Sequence, residues 1–194
     1  MQLSSLMDFK NDVERCLTVL QNGGLILYPT DTIWGIGCDA TNAEAVQKIY
    51  NLKNRTETKS MIVLVAEERD VLRYIAHPDI AVFDYLKQVQ KPTTVIYDGA
   101  IGLAENLIGA DGSIGLRIVQ ESFCRHLIKR LQKPIVSTSA NLSGDPAPAH
   151  FKEIVQYIKQ GVDYIVEYRQ EEESPREPST IIRWHQQSPV VLRP

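Results

Sequence analysis

Apolar residues fall into two spacings along the chain, and the two alternate. Val13, Cys16, Leu17 and Leu20 sit at i, i+3, i+4 and i+7, and Asn22-Gly23-Gly24 follows as a stop. The spacing predicts an amphipathic first helix. Residues 25–28 form a short apolar run closed by Pro29, which reads as a buried strand delivering its end to a loop over residues 30–39. Val46, Ile49 and Tyr50 open a second helical stripe whose next member is Lys53, a charge where the apolar face ought to continue. Residues 61–66 give another buried strand. Helical stripes recur at Ile80, Phe83 and Leu86, at Cys124, Leu127, Ile128 and Leu131, and at Phe151, Ile154, Val155 and Ile158. Strand candidates interleave at 94–97, 114–118, 135–138, 164–167, 180–184 and 190–192, most of them bounded by Gly, Pro or Asp.

This alternation predicts an α/β fold in which helices layer a sheet. The last two strands are separated only by a polar run, residues 185–188, before Pro189. At least one antiparallel hairpin therefore joins the sheet and makes it mixed. No internal repeat or dividing linker is visible, so one domain over residues 1–194 is expected. Residues 170–178, with Glu171, Glu172, Glu173 and two prolines, read as a solvated surface loop.

Composition narrows the class. The 194 residues carry 21 Lys+Arg against 24 Asp+Glu, and 43% are hydrophobic, which is the globular norm. A chain of this size buries roughly 70% of its unfolded surface, enough to hold together without metal or disulfide. Cys16, Cys38 and Cys124 are widely spaced with no Cys-x-x-Cys pair, against both a disulfide framework and a zinc site. A reducing, cytoplasmic location is expected, with no leader and no membrane span. Mild net acidity disfavours a protein devoted to coating nucleic acid.

Chemistry could sit in four polar segments at element ends: Thr30-Asp31-Thr32, the cations Lys53, Arg55 and Lys59, the run Ser137-Thr138-Ser139-Ala140-Asn141, and Arg193. Open α/β sheets bind ligands beyond strand ends, where loops converge donors on one crevice. Three cations within seven positions repel one another unless an anion is present, and a polyphosphate is the natural partner. The plainer reading has Lys53 at a helix C-terminus, favoured by the macrodipole, with Arg55 and Lys59 facing water. The hydroxyl-rich run suits either hydrogen bonding to a ligand or a silent turn closing a strand. There is no Gly-x-Ser-x-Gly elbow, and His77 and His126 are not placed beside these serines. Gly35-Ile36-Gly37-Cys38-Asp39-Ala40 matches a dinucleotide fingerprint, but it starts six residues after its strand and lacks the later strand-end carboxylate.

Gly23-Gly24, Tyr28-Pro29-Thr30-Asp31-Thr32, Trp34-Gly35, Lys53-Asn54-Arg55 and Ser137-Thr138-Ser139-Ala140-Asn141-Leu142-Ser143-Gly144 together resemble the YrdC-type threonylcarbamoyl-AMP synthase family. The likeness runs from about Gly23 to Arg193. It implies a twisted mixed sheet with a concave basic cleft, in the short form of the family. The implied reaction joins L-threonine, bicarbonate and ATP into threonylcarbamoyl-AMP with release of pyrophosphate, for a transferase that modifies tRNA. By the same likeness Lys53, Arg55, Lys59, Ser139, Asn141 and Arg193 would hold ATP, with Mg²⁺ arriving on the nucleotide and no metal ligand supplied by the protein. Thr32, Ser137 and Ser179 would contact threonine, and Arg117 its carboxylate or carbamate. No covalent nucleophile is implied. Three features depart from the family pattern: Thr56 where proline is common, Val89-Gln90-Lys91-Pro92 in place of Trp-Pro-Gly-Pro, and Leu64 where longer relatives have histidine. A non-catalytic RNA-binding module using the same cleft is the alternative. Retention of both Lys-x-Arg and Ser-x-Asn favours the enzyme.

Overall fold

Val13, Cys16, Leu17 and Leu20 bury one stripe of α1 (Lys10–Gln21), and Gly23, at φ +69°, ends the helix by a left-handed turn whose amide returns to Leu20 O at 3.1 Å. The structure, a computed structural model, describes residues 9–54, 61–174 and 176–194. Arg55 and Lys59 lie outside them. The elements that follow are β1 (Ile26–Tyr28), β2 (Gly35–Gly37), α2 (Ala43–Lys53), β3 (Ile62–Val65), α3 (Glu68–Tyr74), α4 (Ala81–Gln88), β4 (Thr93–Tyr97), β5 (Ile114–Ile118), α5 (Ser122–Leu131), β6 (Ile135–Ser139), α6 (Gln156–Gln160), β7 (Tyr164–Ile165), β8 (Thr180–His185) and β9 (Ser188–Arg193). Asn42 caps α2 by accepting from Ala45 N at 3.0 Å, and Asn54 closes it in the left-handed region. Glu121 caps α5 through Cys124 N at 2.8 Å. Among the described residues no helix is long and apolar enough to cross a membrane, and all three cysteines are free and buried.

Among the described residues the strands form one mixed nine-stranded sheet in the order β7-β1-β2-β6-β3-β5-β4-β8-β9. β1 pairs parallel with β7, β3 with β5, and β4 with β8, while the other neighbours run antiparallel. The β8–β9 hairpin turns through Gln186 and Gln187, both at positive φ, the twist that suits a two-residue hairpin loop.

Register sorts the strand residues into two faces. Leu27, Ile36, Val136, Val63, Leu116, Val95 and Ile182 lie across one face, and all are buried. The other face carries Gly35, Gly37, Ser137, Ser139, Ile62, Gly115, Arg117, Thr94, Ile181 and Arg193. Small and polar residues on its central strands leave a hollow.

Three expectations need correction. The loop placed over residues 30–39 contains β2, paired on both sides. Its glycines serve close packing: a Cβ on Gly37 would lie 2.6 Å from Tyr28 Cε1 and 2.6 Å from Val136 O, and apolar patterning is blind to such a strand. The stripe 151–158 is not one helix, because Ile154 and Val155 are extended between a 3-10 turn (Phe151–Glu153) and α6. Two adjacent β-branched residues are weak helix formers, and Val155 is exposed. Ile80 does not extend the stripe of α4, since it precedes the helix and is exposed. Residues 170–174 and 176–178 do form a surface loop, and it is fastened at one end. Arg169 and Arg176 both grip Glu172, at 2.6 and 2.7 Å, and Arg169 Nη1 donates to Thr30 O at 3.1 Å, fastening this segment to the loop after β1.

Candidate active site

The hollow face closes into a cavity of about 280 Å³ where the ends of β2, β5, β6, β8 and β9 meet the loop after β1. Thr32, Ser137, Ser139, Ser179, Arg117 and Arg193 line it, beside an apolar wall that includes Trp34, Met61, Ile62 and Ile181. Six of the residues singled out in the sequence, drawn from five separate segments, thus share one wall.

Arg117 is the only one of the six that buries a whole charged side chain. Leu64↔Arg117 register carries it inward on β5, and its side chain is 3% exposed. Nη2 stands 3.0 Å from Asp31 Oδ1, but off the N–H direction. Among the described residues neither Nε nor Nη2 of Arg117 has a well-directed hydrogen bond, and Asp31 Oδ1 has none either. Asp31 Oδ2 is held by Gln120 N at 3.0 Å. A guanidinium buried at a cavity wall, paired on one side with the Asp31 carboxylate, is a chemically suitable partner for a further planar oxyanion.

Arg193 adds a second cation. Its Nε and Nη2 donate to Ser179 O at 3.2 and 2.9 Å. Burial first, and the Arg117 charge second, press its guanidinium below the usual arginine range. Two arginines that repel across one cavity are relieved by an anion between them.

Ser179 is buried, with its Oγ 2.8 Å from Thr94 Oγ1. Thr32 Oγ1 is 2.9 Å from Thr30 Oγ1. Lys53 and Asn141 stand apart from this wall. Lys53 is 1% exposed, so the charge in the stripe of α2 points inward rather than to water. Its ammonium donates to the backbone carbonyls of Ser139 and Asn141, and its own carbonyl receives Ser143 N at 2.9 Å. Lys53 thereby ties the end of α2 to the loop after β6. Asn141 Nδ2 closes that loop on Leu142 O and Asp145 O, at 2.9 and 2.7 Å.

Asp31 had no role in the sequence reading, although it lies between the two threonines. Its partner is 86 positions away, so only the fold pairs them. Asp31→Ala strands a buried charge and is expected to cost about 3–5 kcal/mol of stability. Chemical denaturation checks this, and adding Arg117→Leu should recover most of the loss because neither charge then remains.

Residues 18–194 match the family described as Sua5_yciO_yrdC, telomere recombination. The chain is 34% identical to a threonylcarbamoyl-AMP synthase of Idiomarina loihiensis over 147 residues, covering 74% of this chain and 79% of that one. It is 32% identical to a putative threonylcarbamoyl-AMP synthase of Methanocaldococcus jannaschii over 172 residues, covering 89% and 80%. Among solved structures, E. coli YciO superposes with a TM-score of 0.80 at 22% identity, over 94% of this chain and 88% of that one. P. abyssi Sua5 complexed with L-threonine gives 0.82 at 21% identity, over 94% of this chain and 53% of that one. The chain thus spans about half the length of that Sua5. These likenesses at low identity concern the fold, whereas the family match and the synthase relatives reach further: the chain belongs to the Sua5_yciO_yrdC family.

Proposed function

We propose that the protein makes threonylcarbamoyl-AMP from L-threonine, bicarbonate and ATP, releasing pyrophosphate and water. The observation that carries this reading is the buried Arg117, whose Nε and Nη2 have no well-directed hydrogen bond among the described residues, at a hydroxyl-lined cavity, in a relative of threonylcarbamoyl-AMP synthases. Arg117 holds the carboxylate of the amino acid, or the carbamate formed when its amine attacks the carbon of CO2 or bicarbonate. Thr32, Ser137 and Ser179 orient the rest of the amino acid. Arg193 faces the nucleotide. Lys53, Arg55, Lys59, Ser139 and Asn141 serve the triphosphate, Lys53 in part by fixing the end of β6 and the loop after it, which carry the last two.

A carbamate oxygen then attacks the α-phosphorus, and the bond to pyrophosphate breaks. Neither step needs an enzyme nucleophile. Two anions must be held against each other and the charge on the departing pyrophosphate stabilised, which cations and fixed hydroxyl donors do. Among the described residues no three His, Cys, Asp or Glu converge on a point, and Asp31 faces Arg117. Mg²⁺ is accordingly proposed to arrive on ATP, held by phosphates and water, where it withdraws charge from the reacting phosphates. The product is a mixed anhydride whose carbamoyl carbon is activated for a tRNA-modifying transferase. Labelled bicarbonate should enter that adenylate in the presence of L-threonine and ATP. An adenylate without the label would contradict the proposal.

A further inference from the structure

Thr30 is fully buried and is not part of the cavity wall. Its hydroxyl nevertheless determines what that wall can offer. Thr30 Oγ1 donates its single proton to Ile33 O at 2.8 Å, a contact in which the carbonyl can only accept. It also accepts from Thr32 N at 3.0 Å. The remaining contact, 2.9 Å to Thr32 Oγ1, must therefore be donated by Thr32, because Thr30 has no second proton. The Thr32 hydroxyl has then spent its proton inward. Toward any ligand in the cavity it presents lone pairs alone.

An acceptor of fixed polarity asks for a donor. Arg117 and Arg193 both bring positive charge to this cavity, so an ammonium is the poorer guest and a neutral O–H the better one. We infer that Thr30 is a specificity-positioning residue: by locking Thr32 as an acceptor it makes the pocket select amino acids with a side-chain hydroxyl over isosteres that lack one. This rests on the synthase reading above and adds to it how the hydroxyl is recognised. A pocket built to hydrogen-bond a substrate hydroxyl rejects the analogue without it, because its own polar group is then left unpaired.

The test compares kcat/KM for L-threonine with that for L-2-aminobutyrate, which keeps the methyl and loses the hydroxyl, measured by pyrophosphate release with ATP and bicarbonate. In Thr30→Val the Thr32 hydroxyl is free to turn, and the preference for threonine should fall by roughly tenfold. Thr30→Ser retains the proton relay and should keep the wild-type preference. Thr32→Val removes the acceptor itself and should collapse the same ratio, which keeps the test decisive if Thr30→Val does not fold. A ratio unchanged in folded Thr30→Val, or unchanged in Thr32→Val, overturns the inference, as does an equal loss on both substrates. Wild-type protein that turns over neither substrate contradicts the synthase reading instead, and this inference with it.

Discussion

Arg117→Ala should abolish the response to L-threonine while leaving ATP binding close to wild type. The guanidinium is buried at the cavity wall, and a charge-assisted pair contributes only where its anion binds. Loss of a donor preorganised for the reacting group costs about 2.7–4 kcal/mol, a hundredfold or more in kcat/KM. Arg117→Lys should recover little, since a point charge cannot reproduce the planar fork. Because removal of Arg117 also leaves Asp31 unpaired, Arg117→Ala must be compared at matched folded fraction, by circular dichroism or a thermal melt. Titration of the nucleotide and of threonine separates the two sites. A collapse in nucleotide affinity with threonine response intact would move Arg117 to the phosphate side.

Lys53 and Arg55 share a motif but are expected to fail in different ways. Lys53 is buried and bridges the carbonyls of Ser139 and Asn141, so Lys53→Met leaves those carbonyls without their ammonium. Each buried acceptor so stranded costs about 1–3 kcal/mol, and thermal stability and turnover should fall together. Arg55 lies outside the described residues, and its expected behaviour follows from the likeness to the synthases. If it clamps the triphosphate, Arg55→Ala should melt as the wild type does while turnover falls a hundredfold or more. Arg55→Lys should restore part of that loss. An Arg55→Ala protein with both melting and turnover unchanged would return that residue to the surface.

How far the sequence could be read follows from the range of each interaction. α1, α2 and α5 were legible because their apolar stripes are local: Val13 to Leu20 with its stop at Gly23, Val46 to Tyr50, and Cys124 to Leu131. β2 was not, since Gly35 and Gly37 are chosen for what lies across the sheet from them, Ser137, Val136 and Tyr28. α3 was missed because only Val71 and Tyr74 of its seven residues are buried, too few to set a period. In the site, residue types and motifs pointed to the lining hydroxyls and both arginines. The Arg117–Asp31 pair and the inward turn of Lys53 needed the fold, because their partners come from distant strands and loops. Polarity of the Thr32 hydroxyl needed more still: a count of one proton among three contacts.

The most direct test of the central claim is pyrophosphate release measured with each component left out in turn. With ATP, bicarbonate and L-threonine together the protein should release pyrophosphate, and omission of either threonine or bicarbonate should stop it, because the attacking carbamate is assembled from both. Equal release with ATP alone would make the protein an ordinary ATP pyrophosphohydrolase and contradict the proposed synthesis.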